Sequence, residues 1–288
     1  MNFTVRNFGE RKAMATRTKS CPTKVEAKQQ HGTQSLERAF AVLNAVASGC
    51  CEPQSIGRIV GTTRSTTHRL ISYLQRAGFV RHIEGRGYVL GARLVELGAK
   101  ALAQMPLITL AHPLIEKLAH ETGDAVHLSL RDGDRIIYVD KIPGTKSLEM
   151  RSAIGTRKPL AITGTGKAMM LDLPEQEWAR LYKLAKIEIG LEKVNPPGFL
   201  AWSNYLADMR AYRDRGYTME KEENQASIVC VGAPIRDARG IIVAGLSIAS
   251  AAQFMPPQRM LRLAPAVQAC AEEISKGLGF EFNDPQPD

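Results

Sequence analysis

Inward-facing and outward-facing residues alternate with helical spacing in the segment 62–77. The side chains expected inside fall at i, i+3, i+4 and i+7 and share one helix face: Thr67, Leu70, Ile71 and Leu74. The opposite face collects hydroxyls, cations and an imidazole: Ser65, His68, Arg69, Ser72 and Arg76. The segment therefore predicts a helix that is capped by Thr62 or Thr63, ends at Gly78 and exposes one polar face.

A short hairpin is predicted directly after this helix. Residues 79–83 and 88–90 are extended runs, and the glycines of the Glu84-Gly85-Arg86-Gly87 turn between them allow positive φ angles. A helix with a cationic face, followed by a hairpin with an arginine at its tip, is typical of a recognition helix and wing. The alternative is an ordinary helix and hairpin whose charged face is simply solvated.

Two further helices are predicted before this one. The first spans residues 35–48, with Ser35 as its N-cap and Gly49 after its end. Its apolar residues recur at helical spacing: Leu36, Phe40, Leu43 and Ala47. The second spans residues 54–60 and contains Gly57, which costs about 1 kcal/mol against alanine and makes the helix depend on its neighbours. Three helices and a hairpin form a winged helix-turn-helix of about 60 residues.

The remainder of the chain mixes helices and strands. Residues 92–105 are predicted to form a linker helix that Pro106 ends or bends, and residues 107–122 a helix that is irregular around Pro113. Strands are predicted at residues 125–130, 135–140, 147–154, 217–220, 227–235 and 241–249. Helices are predicted at residues 166–171, 175–186, 205–215 and 262–277, the last with Pro265 near its start. Strands in hairpins with helices set apart predict an α+β domain around an antiparallel sheet.

Composition adds a basic charge to this two-domain pattern. The 288 residues suffice for two cores, and a net charge of +9 favours a polyanionic partner. No apolar run approaches the ~18 residues that span a bilayer, and no hydrophobic signal segment begins the chain. The five scattered cysteines argue against a disulfide framework and structural zinc, and no histidines have metal-ligand spacing. These features predict a soluble cytoplasmic protein without a metal or cofactor.

Residues 1–30 are basic and lack hydrophobic periodicity. We expect them to form a disordered tail that contacts DNA phosphates. The alternative is a dispensable extension, with Met14 as the true start. The predicted organisation is a tail at residues 1–30, a winged helix-turn-helix at 31–91, a linker helix at 92–105 and a second domain at 106–280.

Several short motifs occur together along the chain. The N-terminal ones are Ser35-Leu36-Glu37-Arg38-Ala39, Arg64-Ser65-Thr66-Thr67-His68-Arg69-Leu70 and Gly87-Tyr88-Val89-Leu90-Gly91. The C-terminal ones are Glu121-Thr122-Gly123-Asp124, Thr163-Gly164-Thr165-Gly166-Lys167-Ala168, Arg215-Gly216-Tyr217 and Ala233-Pro234-Ile235. Jointly they resemble the IclR family of bacterial transcriptional regulators over residues 33–275. The resemblance implies a sensor domain of GAF-like or PAS-like shape, and a homodimer or dimer of dimers (homotetramer) that binds a palindromic operator in double-stranded DNA.

Different side chains are expected to contact bases and phosphates. The first turns of the recognition helix bring four side chains within reach of base edges in the major groove: Ser65, Thr66, His68 and Arg69. Arg64, Arg81 and Arg86 are expected to hold phosphates or to place the wing in the minor groove.

The glycine-rich run before residue 168 matches a phosphate-binding loop only in part. That motif requires Gly-x4-Gly-Lys-Ser/Thr. Ala161 replaces its first glycine, and Ala168 lacks the hydroxyl that binds magnesium. What remains is a small-residue segment leading into a helix, whose unpaired N–H groups favour a carboxylate or similar anion. The alternative is that the glycines only let the chain turn tightly.

The family resemblance implies that this run forms one wall of an effector pocket. The residues that it implies are Met150, Gly164, Thr165, Glu220, Cys230 and Ser247. Glu220 stands where one branch of the family has the shorter aspartate, and Ala249 where that branch has a second serine. We therefore expect the effector to be a small organic acid, of hydroxy or aromatic type, with a hydroxyl or other donor for Glu220.

Two rival functions fit parts of the sequence. An enzyme acting on a small acid would use Cys230 as nucleophile, His127 as base and Glu220 as orienting group. However, Cys230 lies in the apolar run 228–233, where a cysteine usually behaves as a buried hydrophobe. The second rival is an RNA-binding winged helix. The sequence as a whole predicts a non-enzymatic, ligand-responsive DNA-binding regulator, and it leaves the choice between repressor and activator open.

Overall fold

The structure is a computed structural model that describes residues 33–145, 152–191 and 196–281. The chain divides after Ala101 into two compact units. The predicted tail at residues 1–30 and the pocket residue Met150 lie outside the described residues.

The N-terminal unit contains the predicted helices and hairpin. Its elements are α1 (Gln34–Ala47), α2 (Pro53–Val60), α3 (Arg64–Arg76), β1 (Val80–Ile83), β2 (Gly87–Leu90) and the first residues of α4 (Ala92–Ala103). β1 and β2 pair antiparallel from Val80–Leu90 to Ile83–Gly87. A small core holds them together: Val42, Ala45, Val46, Cys50, Ile56, Ile71, Leu74 and Val80. The predicted winged helix-turn-helix is confirmed.

Helix α1 buries a different face from the predicted one. Val42, Ala45 and Val46 are buried, whereas Leu36 is 58% and Phe40 56% exposed. The helix has apolar residues on two faces, and the shorter side chains allow the closer approach to neighbouring helices. α1 begins at Gln34, so Ser35 lies inside the helix and the predicted N-cap is wrong.

Gly57 is explained by the contact between α2 and α3. A Cβ atom at this position would lie 2.6 Å from the Thr67 hydroxyl. The two helices therefore approach more closely than any side chain at residue 57 allows. The low helix propensity of glycine is accepted here because it permits this packing.

The C-terminal unit is an α+β domain, as predicted. Its helices are α5 (Pro106–Thr122), α6 (Gly164–Met169), α7 (Glu175–Leu191), α8 (Trp202–Arg215) and α9 (Pro257–Gly277). Its strands are β3 (Ala125–Asp132), β4 (Arg135–Ile142), β5 (Arg157–Pro159), β6 (Thr218–Lys221), β7 (Ile228–Arg236) and β8 (Ile242–Ala251). Within the described residues these strands form one antiparallel sheet in the order β5-β4-β3-β8-β7-β6.

Two predicted elements of this unit are displaced. Residues 152–154 are not a strand, and the edge strand is β5, which pairs with the start of β4; residues 147–151 of the predicted strand lie outside the described residues. α9 begins at Pro257, so Pro265 lies inside the helix. A proline at the first helical position has a favourable φ angle, and the buried face of α9 outweighs the cost of the second proline.

Four cysteines lie in the described part of the chain. Cys51, Cys230 and Cys270 are free thiols, and Cys50 is disulfide-bonded. The sequence argued against a disulfide framework, whereas Cys50 takes part in a disulfide bond. Among the described residues no single helix is long and apolar enough to cross a membrane; α4 and α5 meet that criterion only as a bent pair.

Candidate functional site

The first candidate site is the exposed face of α3. Thr63 caps this helix, and its hydroxyl accepts a hydrogen bond from the Thr66 amide at 3.4 Å. The Thr67 hydroxyl donates to the Thr63 carbonyl at 2.9 Å and lies 2.8 Å from the Thr62 hydroxyl. These bonds fix the first turn of α3, which carries Ser65 and Thr66, two of the four predicted base contacts.

The predicted DNA contacts are accessible. Arg64, Ser65, His68 and Arg69 on α3 are exposed, and so are Arg81 on β1 and Arg86 in the hairpin turn, whereas Thr66 is half-buried. Within the described residues none of these four arginines forms an ion pair, although many other arginines of the chain do. Cations that lack protein carboxylates are available to phosphate.

A groove between α2 and α3 adds a residue that the sequence interpretation missed. The groove has a volume of about 570 Å³, and its lining includes Arg58, Arg64 and His68. Arg58 lies on α2 and is exposed. The signal that pointed to it was weak, because a single arginine on a short helix has no distinctive spacing.

The second candidate site is a small cavity in the C-terminal unit that several polar side chains line. It has a volume of about 40 Å³, which is enough for a few water molecules. It brings together the start of α6 with side chains from five strands: Gly164, Thr165, His127, Tyr138, Glu220, Cys230 and Ser247. All described members of the predicted effector set therefore lie around one cavity.

The glycines around the cavity serve close packing. Neither Gly164 nor Gly166 has a positive φ angle, so neither is required for a tight turn. A Cβ atom at Gly164 would lie 2.5 Å from the Cys230 sulfur. On the sheet, Cβ atoms at Gly232 and Gly245 would lie 2.7 Å and 2.3 Å from the carbonyl oxygens of Gly164 and Thr165. The backbone of α6 thus rests directly on the backbone of β7 and β8.

Glu220 is buried in the cavity wall with its acceptor sites occupied. Its Oε1 accepts the amides of Glu223 at 2.7 Å and Asn224 at 3.1 Å, and its Oε2 accepts the Cys230 thiol at 3.4 Å. Burial, followed by the charge of Glu223, raises the pKa of Glu220 to about 8. Glu220 is therefore largely protonated at neutral pH.

Lys167 is a buried structural cation. Its Nζ donates to Glu223 Oε2 at 2.5 Å and to the Met219 carbonyl at 2.6 Å. Burial alone would lower the pKa of Lys167, but the adjacent Glu223 carboxylate raises it above its ordinary value. The Lys167 ammonium is paired with Glu223, and the residue is only 1% exposed, so it is not available to bind a phosphate group. The geometry therefore agrees with the sequence that the run ending at Lys167 is not a phosphate-binding loop.

The cavity does not assemble an activated cysteine. Burial, followed by the Glu220 charge, raises the pKa of Cys230 well above its ordinary value, so the thiol is protonated. His127 shares a 2.7 Å hydrogen bond with Ser152, and burial followed by Lys141 lowers the pKa of His127 to about 3. His127 is thus a neutral, buried polar group of the wall.

Several cavity residues were missed by the sequence interpretation. Tyr138 lies beside His127, with ring centroids 5.2 Å apart. Asn224 and Gln225 reach the cavity from the loop between β6 and β7. No sequence pattern pointed to the loop residues, because a polar hairpin loop is ordinarily solvent-exposed.

Comparisons with known proteins match both units. Residues 35–84 match the IclR helix-turn-helix domain, and residues 99–276 match the C-terminal domain of the bacterial transcriptional regulator IclR. The chain belongs to the IclR family of bacterial transcriptional regulators. Within this family its N-terminal unit is the DNA-binding domain and its C-terminal unit the effector-binding domain. The family expected from the sequence motifs is confirmed.

Individual IclR-family members resemble the whole chain. It is 27% identical over 268 residues to the HTH-type transcriptional repressor AllR of Escherichia coli, a match that covers 92% of this chain and 97% of AllR. The crystal structure of Thermotoga maritima IclR matches 86% of this chain and 100% of its own, with 29% identity and a TM-score of 0.69. An IclR homologue from Microbacterium hydrocarbonoxydans, crystallised with 4-hydroxybenzoate, has the same fold, with 19% identity, coverage of 85% and 98%, and a TM-score of 0.69.

Proposed function

We propose that this IclR-family protein is a cytoplasmic repressor that reads a palindromic operator through α3 and releases or retains it in response to a small organic acid. The observation that carries the proposal is the exposed face of α3, where Ser65, His68 and Arg69 project from the first two turns of a capped helix. Such residues form bidentate or single hydrogen bonds with base edges in the major groove. The repressor AllR, similar over most of the chain, supports repression as the mode.

The DNA-binding test separates base contacts from phosphate contacts. Fragments selected from random genomic DNA by the full-length protein supply the specific sequence. We expect Arg69→Ala to lose about 1–3 kcal/mol of binding free energy on selected fragments and much less on random DNA. Arg239→Ala is the matched control, because Arg239 is an exposed arginine of the C-terminal unit that pairs with Asp237. Equal losses on selected and random DNA would rule out the base-reading role of Arg69. Binding of a matched RNA duplex with equal affinity would favour the RNA-binding alternative.

A two-fold dimer is the proposed assembly, alone or as a dimer of dimers. Two recognition helices about 34 Å apart would read successive major grooves. Exposed apolar residues of the N-terminal unit support it: Leu36 and Phe40 on α1, and Val95 and Leu97 on α4, which are 74% and 39% exposed. Sedimentation of the full chain measures the assembly, and a monomer at micromolar concentration would contradict it.

The proposed effector site is the cavity between α6 and the sheet. The backbone amides of Gly164 and Thr165 are proposed to bind the ligand carboxylate, with Ser247 opposite them. A ligand that binds one dimer arrangement better than another shifts DNA affinity by the difference, typically about 1–3 kcal/mol. The 4-hydroxybenzoate complex of the M. hydrocarbonoxydans homologue supports an organic acid as ligand.

We infer that the cavity binds and does not catalyse. The raised pKa of Cys230 keeps the thiol protonated at neutral pH, and the lowered pKa of His127 makes it a weak base for removing that proton. Incubation of the protein with candidate acids, followed by mass spectrometry of the acids, tests this. Turnover that disappears in Cys230→Ser would establish the rival enzymatic function.

A further inference from the structure

The loop between β6 and β7 has an unusual backbone. Glu222 and Ser227 have φ angles of 66° and 64°, and they are the only non-glycine residues with positive φ in the described part of the chain. Left-handed backbone is unfavourable for residues with a Cβ atom. It persists where the surroundings enforce it, and it concentrates at ligand sites.

Specific contacts hold this loop over the cavity. The Ser227 amide donates to Glu222 Oε1 at 2.6 Å, and the Ala252 amide donates to the Ser227 carbonyl at 2.9 Å. In the middle of the loop, Glu223 is anchored by Lys167. These contacts at both ends and at the centre fix the position of Asn224, the next residue, in the cavity lining.

Asn224 presents a buried acceptor without a donor. Its amide nitrogen in the backbone donates to Glu220, but its side-chain Oδ1 is buried and has no hydrogen-bond partner among the described residues. Buried polar atoms are almost always hydrogen-bonded, and an unpaired one costs free energy. An exception beside a polar cavity indicates an acceptor whose donor arrives with a ligand.

Glu220, the acidic residue of the cavity lining, is not available as an acceptor for a ligand donor. Glu220 Oε1 already accepts two backbone amides, and Oε2 accepts the Cys230 thiol. The donor that we expected from the sequence to contact Glu220 therefore has little acceptor capacity to meet there. Asn224 Oδ1, by contrast, is a buried acceptor of the lining with no hydrogen-bond partner among the described residues.

We propose that Asn224 is the specificity-determining residue of the cavity and that it selects acids carrying an O–H or N–H donor near the carboxylate. This inference rests on the proposed binding of a small organic acid. In the resulting arrangement the amides at the start of α6 bind the carboxylate, and Asn224 Oδ1 accepts from the hydroxyl, amine or amide of the ligand. An acid with a methyl group in that position leaves Oδ1 unpaired and binds more weakly.

The test uses pairs of acids that differ only in the donor. Oxamate and pyruvate exchange an amino group for a methyl group, and glycolate and propionate exchange a hydroxyl for a methyl group. Calorimetric titration of the full-length protein gives a dissociation constant for each acid. For the pair that fits the cavity, we expect the donor-bearing acid to bind about ten-fold more tightly or better.

Three variants assign that preference to Asn224. Asn224→Leu keeps the size and removes the acceptor, so both acids of the pair should bind equally. Asn224→Asp keeps the acceptor oxygens, so the ratio of the two constants should survive even though added charge weakens both. Asn204→Leu is the matched control, because Asn204 is an exposed asparagine on α8, and it should leave the ratio unchanged.

The possible outcomes separate this inference from the proposed function. Equal binding of both acids by the unmodified protein, or a preference that survives in Asn224→Leu, overturns the role of Asn224 while acid binding stands. Failure of every acid to bind contradicts the acid-binding function and this inference with it. A ligand-independent check is the stability of Asn224→Leu without acid. It should be no lower than that of the unmodified protein, and a clear loss would make Asn224 a structural residue instead.

Discussion

Replacement of Lys167 by methionine is the sharpest test of what holds the C-terminal unit together. The side chains of Lys167 and Glu223 are 1% and 5% exposed, and they are joined by a 2.5 Å contact. Methionine fills a similar volume but removes the charge. It leaves the Glu223 carboxylate buried without its cation.

The size of the effect follows from which partners are lost. Met219 loses the lysine donor but keeps the Tyr212 hydroxyl, which donates to the same carbonyl at 3.0 Å. Glu223 keeps only the weaker contact from the Lys221 amide at 3.4 Å. Removing one partner of a buried ion pair costs about 3–5 kcal/mol. Solvent hardly screens this pair, because both side chains are buried, so that figure applies here. We expect Lys167→Met to lower the free energy of unfolding by about this amount.

The measurement is specific to the C-terminal unit. The sequence contains two tryptophans, Trp178 and Trp202, and both lie in this unit on α7 and α8. Trp178 is fully buried, and its Nε1 donates to the Met170 carbonyl at 2.6 Å. Tryptophan fluorescence during urea unfolding therefore reports on this unit and not on the DNA-binding domain.

The double variant decides whether the ion pair is the cause. Replacing both partners of a buried pair by uncharged groups is often close to neutral. Lys167→Met combined with Glu223→Gln should therefore recover most of the lost stability. A loss below about 1 kcal/mol in Lys167→Met, or a double variant no more stable than the single one, would refute the reasoning.

Three further predictions concern charge, packing and salt. Because Glu220 has a pKa of about 8 in the fold and 4.5 as an ordinary glutamate, the folded state holds a proton that the unfolded chain releases. The free energy of unfolding should then fall as pH rises towards 8 and level off above it. Glu220→Gln should remove this slope in urea unfolding between pH 7 and 8.5, a range above the titration of histidine, and an unchanged slope would contradict the raised pKa of Glu220. Gly245→Ala places a Cβ atom 2.3 Å from the Thr165 carbonyl oxygen and should lower the free energy of unfolding by about 1–3 kcal/mol. The control Gly190→Ala, in open space on α7, should be neutral or stabilising in the same urea unfolding experiment, and equal effects of the two variants would contradict the close backbone packing. Arg86→Ala should weaken binding to all DNA sequences alike and reduce the slope of affinity against salt by about one ion, and a sequence-dependent loss in salt titrations would assign it to bases instead.

Local patterns predicted the DNA-binding unit well. The polar face of α3 follows from its periodicity, and its cap follows from threonine chemistry at Thr63. The buried face of α1 was mispredicted because two apolar stripes compete on one short helix. Periodicity identifies both stripes, but the closeness of neighbouring helices decides which one is buried, and that is a tertiary property.

Contacts between distant segments limited the prediction of the cavity. Lys167 and Glu223 are separated by 56 positions, and neither sequence neighbourhood indicates the other. The resemblance to the IclR family correctly grouped Glu220, Cys230 and Ser247 around one cavity, yet it implied nothing for Asn224. An unpaired acceptor is a property of the folded surroundings, so no spacing rule reveals it.

The contact of α6 with Gly232 and Gly245 restricts how this binding site diversifies among related regulators. Where two main chains touch, there is no side chain to shorten or enlarge, so we expect this wall of the cavity to stay constant among relatives. We expect new ligand preferences to arise at side chains of the cavity lining, at positions such as Glu220, Asn224 and Ala249. We expect exchange of these few side chains between family members to transfer ligand choice, and rebuilding of the α6 segment to abolish folding instead.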